Sequence, residues 1–201
     1  MILDIFLSTL YPVLSTIDSM EIKIVTSEDG SHTLFIPSMN ETYHSLHGAL
    51  QESEHVFITH GLKEIANTKE EINIFEVGFG TGLNALLTLK FCLEHHKKVN
   101  YYTLEPFPIS QELVEGINYS ALLKDDRLTA AYAGMHQQSF NTAVCYEQIF
   151  SFTKFNQKLE DFTAGIPLME VIYYDAFAPS KQPEVWAMSN IQKVYDLLFE
   201  Y

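Results

Sequence analysis

Ile72-Asn73-Ile74-Phe75-Glu76-Val77-Gly78-Phe79-Gly80-Thr81-Gly82 is the stretch whose reading decides the fold. Ile72, Ile74, Phe75 and Val77 make a short apolar run of β-branched and aromatic residues, the pattern of a strand buried on both faces of a parallel sheet. Gly78, Gly80 and Gly82 follow at once, and then Leu83 to Phe91 sets Leu83, Leu86, Leu87 and Phe91 near one face of a helix. Strand, glycine turn and helix together deliver a nucleotide-like ligand to a helix N-terminus. Glycines in such a turn allow positive φ and a close approach of backbone to ligand.

Spacing narrows the ligand. A dinucleotide fingerprint needs G-x-G-x-x-G, but here the run is G-x-G-x-G and Leu83 stands where the third glycine belongs. A P-loop needs Gly-Lys-Ser/Thr after its glycines, and none is present. A carboxylate at Glu76 would also repel a pyrophosphate. The turn E-x-G-x-G-x-G resembles motif I of class I methyltransferases, which bind S-adenosylmethionine (SAM), a ligand whose methionine end carries an ammonium and a sulfonium. A glycine-rich turn of some other α/β protein is the bland alternative.

Composition sets outer bounds. The 201 residues suffice for one α/β domain with a sizeable core, and 47% hydrophobic residues with a mean hydropathy of zero describe a globular chain. The net charge is −14, from 12 Lys and Arg against 26 Asp and Glu, with Arg127 the only arginine. That balance argues against a nucleic-acid surface built on clustered cations. Cys92 and Cys145 lack metal-ligand spacing and read as buried thiols in a reducing compartment. His44, His47, His55 and His60 show no tight HxH or HExxH spacing, so they read as scattered loop histidines and no metal is expected. Met1 to Ile17 is apolar, but it has no basic start, contains Pro12 and is too short to span a bilayer. We read residues 1–19 as an upstream extension ahead of a domain start at Met20, a docked apolar arm being the alternative.

Along the chain, Glu21–Thr26 and His32–Ile36 flank an Asp29-Gly30 turn and predict a hairpin. Residues 20–60 are read as this hairpin with a loop and helix segment, and residues 61–201 as the SAM-binding domain. Val99–Leu104 predicts the second strand of the main sheet, ending at Glu105-Pro106. An acidic residue about twenty positions beyond a glycine turn, at the next strand's carboxyl end, is placed to accept from both ribose hydroxyls. Residues 110–133 read as helical and Met135–Phe140 as a loop. Ile149–Phe155 predicts a third strand and Leu168–Tyr174 a fourth, running into Asp175-Ala176-Phe177-Ala178-Pro179. Methyltransferases that act on amino groups often carry Asp or Asn followed by Pro-Pro-aromatic at this place. A carboxylate and carbonyls there would orient an amine lone pair and steady its growing positive charge. An Asp at a strand end is, alone, equally compatible with a structural role.

In these segments the chain resembles the methyltransferases that complete 5-methylaminomethyl-2-thiouridine at the tRNA wobble position. The resemblance covers about residues 20 to 195. It rests on Tyr43-His44-Ser45, Gly48-Ala49, Gln51-Glu52-Ser53, His55–Ile58, Glu76–Asn84, Leu104–Pro108, and Asp175–Pro179 with Pro183-Glu184 and Trp186. It implies a class I SAM-methyltransferase (Rossmann-like) α/β fold with a mostly parallel sheet, an N-terminal β-hairpin extension and an incomplete C-terminus. The fourth strand would then be left as an exposed edge. It also implies an N-methyltransferase of the wobble uridine, cytoplasmic and free of membrane and metal. With no second glycine fingerprint, this would be the stand-alone form, its aminomethyl substrate supplied by a separate FAD-dependent or glycine-pathway enzyme. Carried over by position, Glu76, Gly78, Phe79, Gly80, Thr81, Gly82, Asn84, Glu105 and Pro106 are the cofactor residues, and Asp175, Phe177 and Pro179 face the target amine. Gln157-Lys158 stands where the family often has Gly-Asp near the adenine. A methyl- or aminopropyltransferase of a small amine, and an inactive module that keeps the fold, are the competing readings.

Overall fold

The apolar run at 72–77 does what its pattern requires. In the computed structural model, which describes residues 21–163 and 165–198, it forms β4 (Glu71–Val77), paired in parallel on both sides. Its neighbours are β5 (Lys98–Leu104) and β8 (Val171–Tyr174). Beyond β5 lies β7 (Phe150–Phe155), also parallel, and then β6 (Val144–Tyr146), antiparallel at the edge. The strand order is β6-β7-β5-β4-β8. The proposed extension at residues 1–19 lies outside the described residues.

Strand alternation sends side chains to two unequal cores. Ile72, Ile74, Val99, Tyr101, Phe150, Phe152, Val171 and Tyr173 belong to the larger cluster, shared with helix α3 (Leu83–His95). Phe75, Val77, Leu104 and Phe155 belong to a smaller cluster with Leu159, Phe162 and Val194, the last from α7 (Met188–Tyr195). Each fully buried Leu, Ile or Phe is worth roughly 1.5–3 kcal/mol. Towards the carboxyl ends the apolar rows of the larger face give way to Glu76, Thr103 and Lys154, all at most 1% exposed. The residues expected to form the site gather at this polar end of the sheet.

The hairpin is present as β1 (Lys23–Thr26) and β2 (His32–Ile36), with a short β3 (Glu41–Thr42) beside it. Gly30 at its turn has φ +83°. Asp29 in the same turn accepts from Ser31 N at 2.9 Å and from Gln51 N at 3.0 Å, so the turn also docks on the next helix. That helix begins as α1 (Ala49–Ser53), runs on as a π-helical segment (Glu54–Leu62) and ends as α2 (Lys63–Ala66). It lies over the larger face, where Phe57 meets Tyr173 with ring centroids 5.0 Å apart.

Several expectations are corrected. His55 and His60 sit on the π-helical segment rather than in a loop, ring against ring at 4.5 Å. Between β5 and β6 there are three helices: α4 (Gln111–Gly116), α5 (Tyr119–Leu123) and α6 (Asp126–Gln137). The expected loop at Met135–Phe140 therefore starts only after Gln137, because α6 is capped by Asp125 and held by buried Leu128, Ala131, Tyr132 and Met135. Cys92 is buried, but Cys145 on edge strand β6 is exposed. β6 itself was not foreseen. Among the described residues β8 stands at the end of the sheet as expected, and its approach is touched by a parallel bridge between Met169 and Leu198.

Candidate active site

A cavity of about 590 Å³ opens at the carboxyl ends of β4, β5, β7 and β8, and the N-terminal hairpin and α1 complete its wall. Of the residues expected in the site, Gly78, Phe79, Gly80, Thr81, Glu105, Pro106, Asp175 and Phe177 line it. Glu76, Gly82 and Asn84 do not. Pro179 is exposed on the loop beyond Phe177 and is not among the lining residues.

Gly78 and Gly80 carry φ of +96° and +51°. A Cβ on Gly78 would stand 2.8 Å from the Asp175 carbonyl oxygen, and one on Gly80 would stand 3.0 Å from the Tyr43 ring. The turn is therefore pressed between the β8 loop and Tyr43: Gly78 has no room for a side chain, and one at Gly80 would force the Tyr43 ring to give way. Thr81 is held from three sides. Its hydroxyl accepts from Tyr119 at 3.2 Å and lies 2.8 Å from His44 Nε2, and its carbonyl lies 3.1 Å from His136 Nε2. Burial lowers both imidazoles to about 4, so they are neutral at neutral pH.

Glu105 is 5% exposed, and both its oxygens are engaged. Oε2 accepts from Gly80 N at 2.7 Å, and Oε1 accepts from Phe107 N at 2.7 Å. Burial raises its pKa against the pull of those two N–H groups and the Lys154 ammonium. Lys154 donates to the carbonyls of Met135 (2.8 Å) and His136 (3.0 Å), closing the last turn of α6, and its Nζ lies 5.1 Å from the Phe79 ring centroid.

Across the turn the carboxylates are differently placed. Glu76 is fully buried, accepting from Thr103 Oγ1 at 2.7 Å and Asn84 Nδ2 at 3.2 Å. Burial, reinforced by the Asp175 charge, pushes it up to about 8. Asp175 accepts from Asn84 Nδ2 at 2.7 Å through Oδ2. Burial raises it to about 6, against the Asn84 hydrogen bond and with the Glu52 charge adding to the rise. Phe177 stands edge-on to Tyr43, centroids 5.1 Å apart, and its backbone is pinned by Gln182 Oε1 and Trp186 Nε1.

His44, Tyr119, His136 and Lys154 are not among the expected site residues; His44 enters the sequence reading only as a loop histidine and as part of a stretch that carries the resemblance. Lys154 had a signal: it continues the alternation Phe150, Phe152, and so belongs on the buried face. His136 and Tyr119 had none, because their contacts with Thr81 join residues far apart in sequence.

A family described as S-adenosyl-L-methionine-dependent methyltransferase matches residues 127–200. A solved structure, that of MNMC2 from Aquifex aeolicus, superposes with a TM-score of 0.66 over 91% of this chain and 58% of that one, at 23% identity. The fold is that of the class I methyltransferases. Among curated relatives, the tRNA 5-methylaminomethyl-2-thiouridine biosynthesis bifunctional protein MnmC of Burkholderia multivorans is 28% identical over 80% of this chain and 26% of its own length. That of Burkholderia pseudomallei is 29% identical over 88% of this chain and 29% of its own length. The chain thus spans about a quarter of the length of these relatives. The resemblance read from the sequence is borne out by these matches, and the family description names the cofactor expected from the glycine turn. Among the described residues, no helix is long and apolar enough to cross a membrane, and no group of three or more His, Cys, Asp and Glu could hold a metal ion.

Proposed function

We infer that this chain is the SAM-dependent methyltransferase unit that converts 5-aminomethyl-2-thiouridine to 5-methylaminomethyl-2-thiouridine at the tRNA wobble position, in the cytoplasm. An FAD-dependent or glycine-pathway activity would supply its substrate. Residues 20–60 serve as cover and 61–201 as the cofactor-binding unit. The observation that carries this reading is the shared cavity: the glycine turn with Glu105 lies on one side, and Asp175 with one uncommitted carboxylate oxygen on the other.

The residues fit SAM. Gly78 and Gly80 keep the turn clear of side chains, and each oxygen of Glu105 retains a second lone pair for a ribose hydroxyl. Gln157 lines the cavity beyond β7, and its Oε1 is buried without a hydrogen-bond partner among the described residues, an acceptor suited to an exocyclic amine. Bound SAM supplies an electrophilic methyl group on a sulfonium. Asp175 accepts an N–H bond from the neutral substrate amine, which aims the lone pair and stabilises the positive charge that grows on nitrogen. Tyr43 and Phe177 wall the cavity with aromatic surface against which a planar base can pack.

The net charge of −14 favours a second reading, a methyl- or aminopropyltransferase of a small amine. Labelled SAM offered with tRNA carrying 5-aminomethyl-2-thiouridine, and separately with polyamines, decides between them. The tRNA is expected to take up label; label in the polyamine alone would establish the second reading. Absence of SAM binding by calorimetry would leave only an inactive module.

A further inference from the structure

Asn84 lies on the first turn of α3, next to the glycine turn, yet it does not line the cavity. Its side chain is 2% exposed and directed at the ends of two strands. One amide nitrogen serves two carboxyl groups, donating to Asp175 Oδ2 at 2.7 Å and to Glu76 Oε1 at 3.2 Å. Glu76 is itself fixed by Thr103 Oγ1, so the amide plane has an anchored side and a working side. The backbone of Asp175 is tied as well, its N–H donating to the Val77 carbonyl at 3.1 Å. Among the described residues Asp175 Oδ1 has no hydrogen-bond partner, and no lysine or arginine is paired with either carboxyl group.

Resting on the methyltransferase reading, we propose that Asn84 is a positioning residue for methyl transfer and not a cofactor ligand: its amide, braced by Glu76, holds Asp175 Oδ2 and so leaves Oδ1 as the acceptor for the substrate nitrogen. A neutral donor suits this task. A lysine in its place would hold the carboxylate equally well, but its charge would strip Asp175 of the basicity that makes it a good acceptor for an amine N–H. An amide orients the group while taking little of its charge.

The test separates positioning from cofactor binding. The groups bearing on Asp175 are Glu52 from α1, Glu76 from β4, and the phenols of Tyr101 from β5 and Tyr119 from α5. Carbon-13 NMR of the Asp175 side-chain carboxyl, in the full chain and in Asn84→Leu, should show the titration move to higher pH when the donor is lost; the same measurement in Glu76→Gln removes the neighbour's titration from the curve. Asn84→Leu should lower kcat by at least roughly tenfold, the loss of one charge-assisted hydrogen bond, while the SAM Kd changes less than about threefold. In an Asp175→Asn background the same change should add almost nothing, since residues acting through one another are not additive. Asn84→Ser, which cannot bridge both carboxyl groups, replaces Asn84→Leu if the latter fails to fold. A SAM affinity that falls in step with kcat, full additivity in the double variant, or an unmoved Asp175 titration would overturn the proposal. If the unaltered chain neither binds SAM nor transfers methyl, the functional reading falls, and the titration alone still decides whether Asn84 sets the state of Asp175.

Discussion

Glu105 and Asp175 follow β5 and β8, the two strands that flank β4, and both carboxyl groups face the same cavity. Glu105 has given both oxygens to main-chain N–H groups, and the Lys154 ammonium lies close enough to favour its charge. Asp175 has given one oxygen to a neutral amide, has no cationic partner among the described residues, and feels the charge of Glu52. A carboxylate with each oxygen bonded to a backbone N–H shapes a loop and offsets its burial through those bonds. One left half satisfied beside other acids costs stability, and such costs persist where the group has chemistry to do.

The widest gap between the two should appear in turnover. Asp175→Asn keeps the shape and the bond from Asn84 but removes the charge; methyl transfer is expected to fall by roughly a hundredfold or more, as for other groups that stabilise transition-state charge. SAM affinity measured by calorimetry should stay within about threefold. Equal losses in both would erase the contrast.

Glu105→Ala should give the opposite pattern. Charge-assisted hydrogen bonds are worth ~1.5–3 kcal/mol each, so SAM affinity should weaken by at least roughly tenfold. The Gly80 and Phe107 N–H groups lose their acceptors in that variant, so its thermal midpoint should fall too. Gly80→Val tests the same side from the backbone: its side chain would meet the Tyr43 ring at a φ of +51°, and SAM binding should be lost without any change at Asp175. Unchanged SAM affinity in both variants would move Glu105 and the turn out of the cofactor site.

The smallest effect is on stability, and its sign is diagnostic. Asp175 is raised from 3.8 to about 6 in the fold, so the folded state holds this proton more tightly than the unfolded state. Stability from this group is fully present below the unfolded value and drains as pH rises towards 6. Asp175→Asn should therefore be more stable than the unaltered chain near pH 8, by on the order of 2 kcal/mol, with the difference gone near pH 4. Urea denaturation at the two pH values measures it. A less stable variant near pH 8 would mean that the Asp175 charge is better compensated than its contacts indicate.

What the sequence disclosed was what is local. The run at 72–77, the glycine turn and α3 are contiguous, so periodicity and turn chemistry suffice to find them, and the hairpin around Gly30 is as plain. Residues 54–62 were opaque because the i→i+5 pattern of a π-helix matches no ordinary period, so histidines on a helix read as a loop. β6 is three residues long at a sheet edge, too short to show alternation. Asn84 was legible as a member of the turn, but its partners Glu76 and Asp175 come together only when β8 pairs with β4. Lys154 was hidden by the ordinary expectation that lysines face water.

Gly78 has a consequence for the history of such chains. The space its missing side chain leaves is filled by the carbonyl of Asp175, so the glycine turn and the loop after β8 touch directly. Neither motif can drift on its own: a larger residue at 78 would displace the very loop that holds the acid. Descendants of this chain should inherit the two motifs as one unit or lose them together, and libraries randomised at both sites should return the glycine wherever the loop keeps its place.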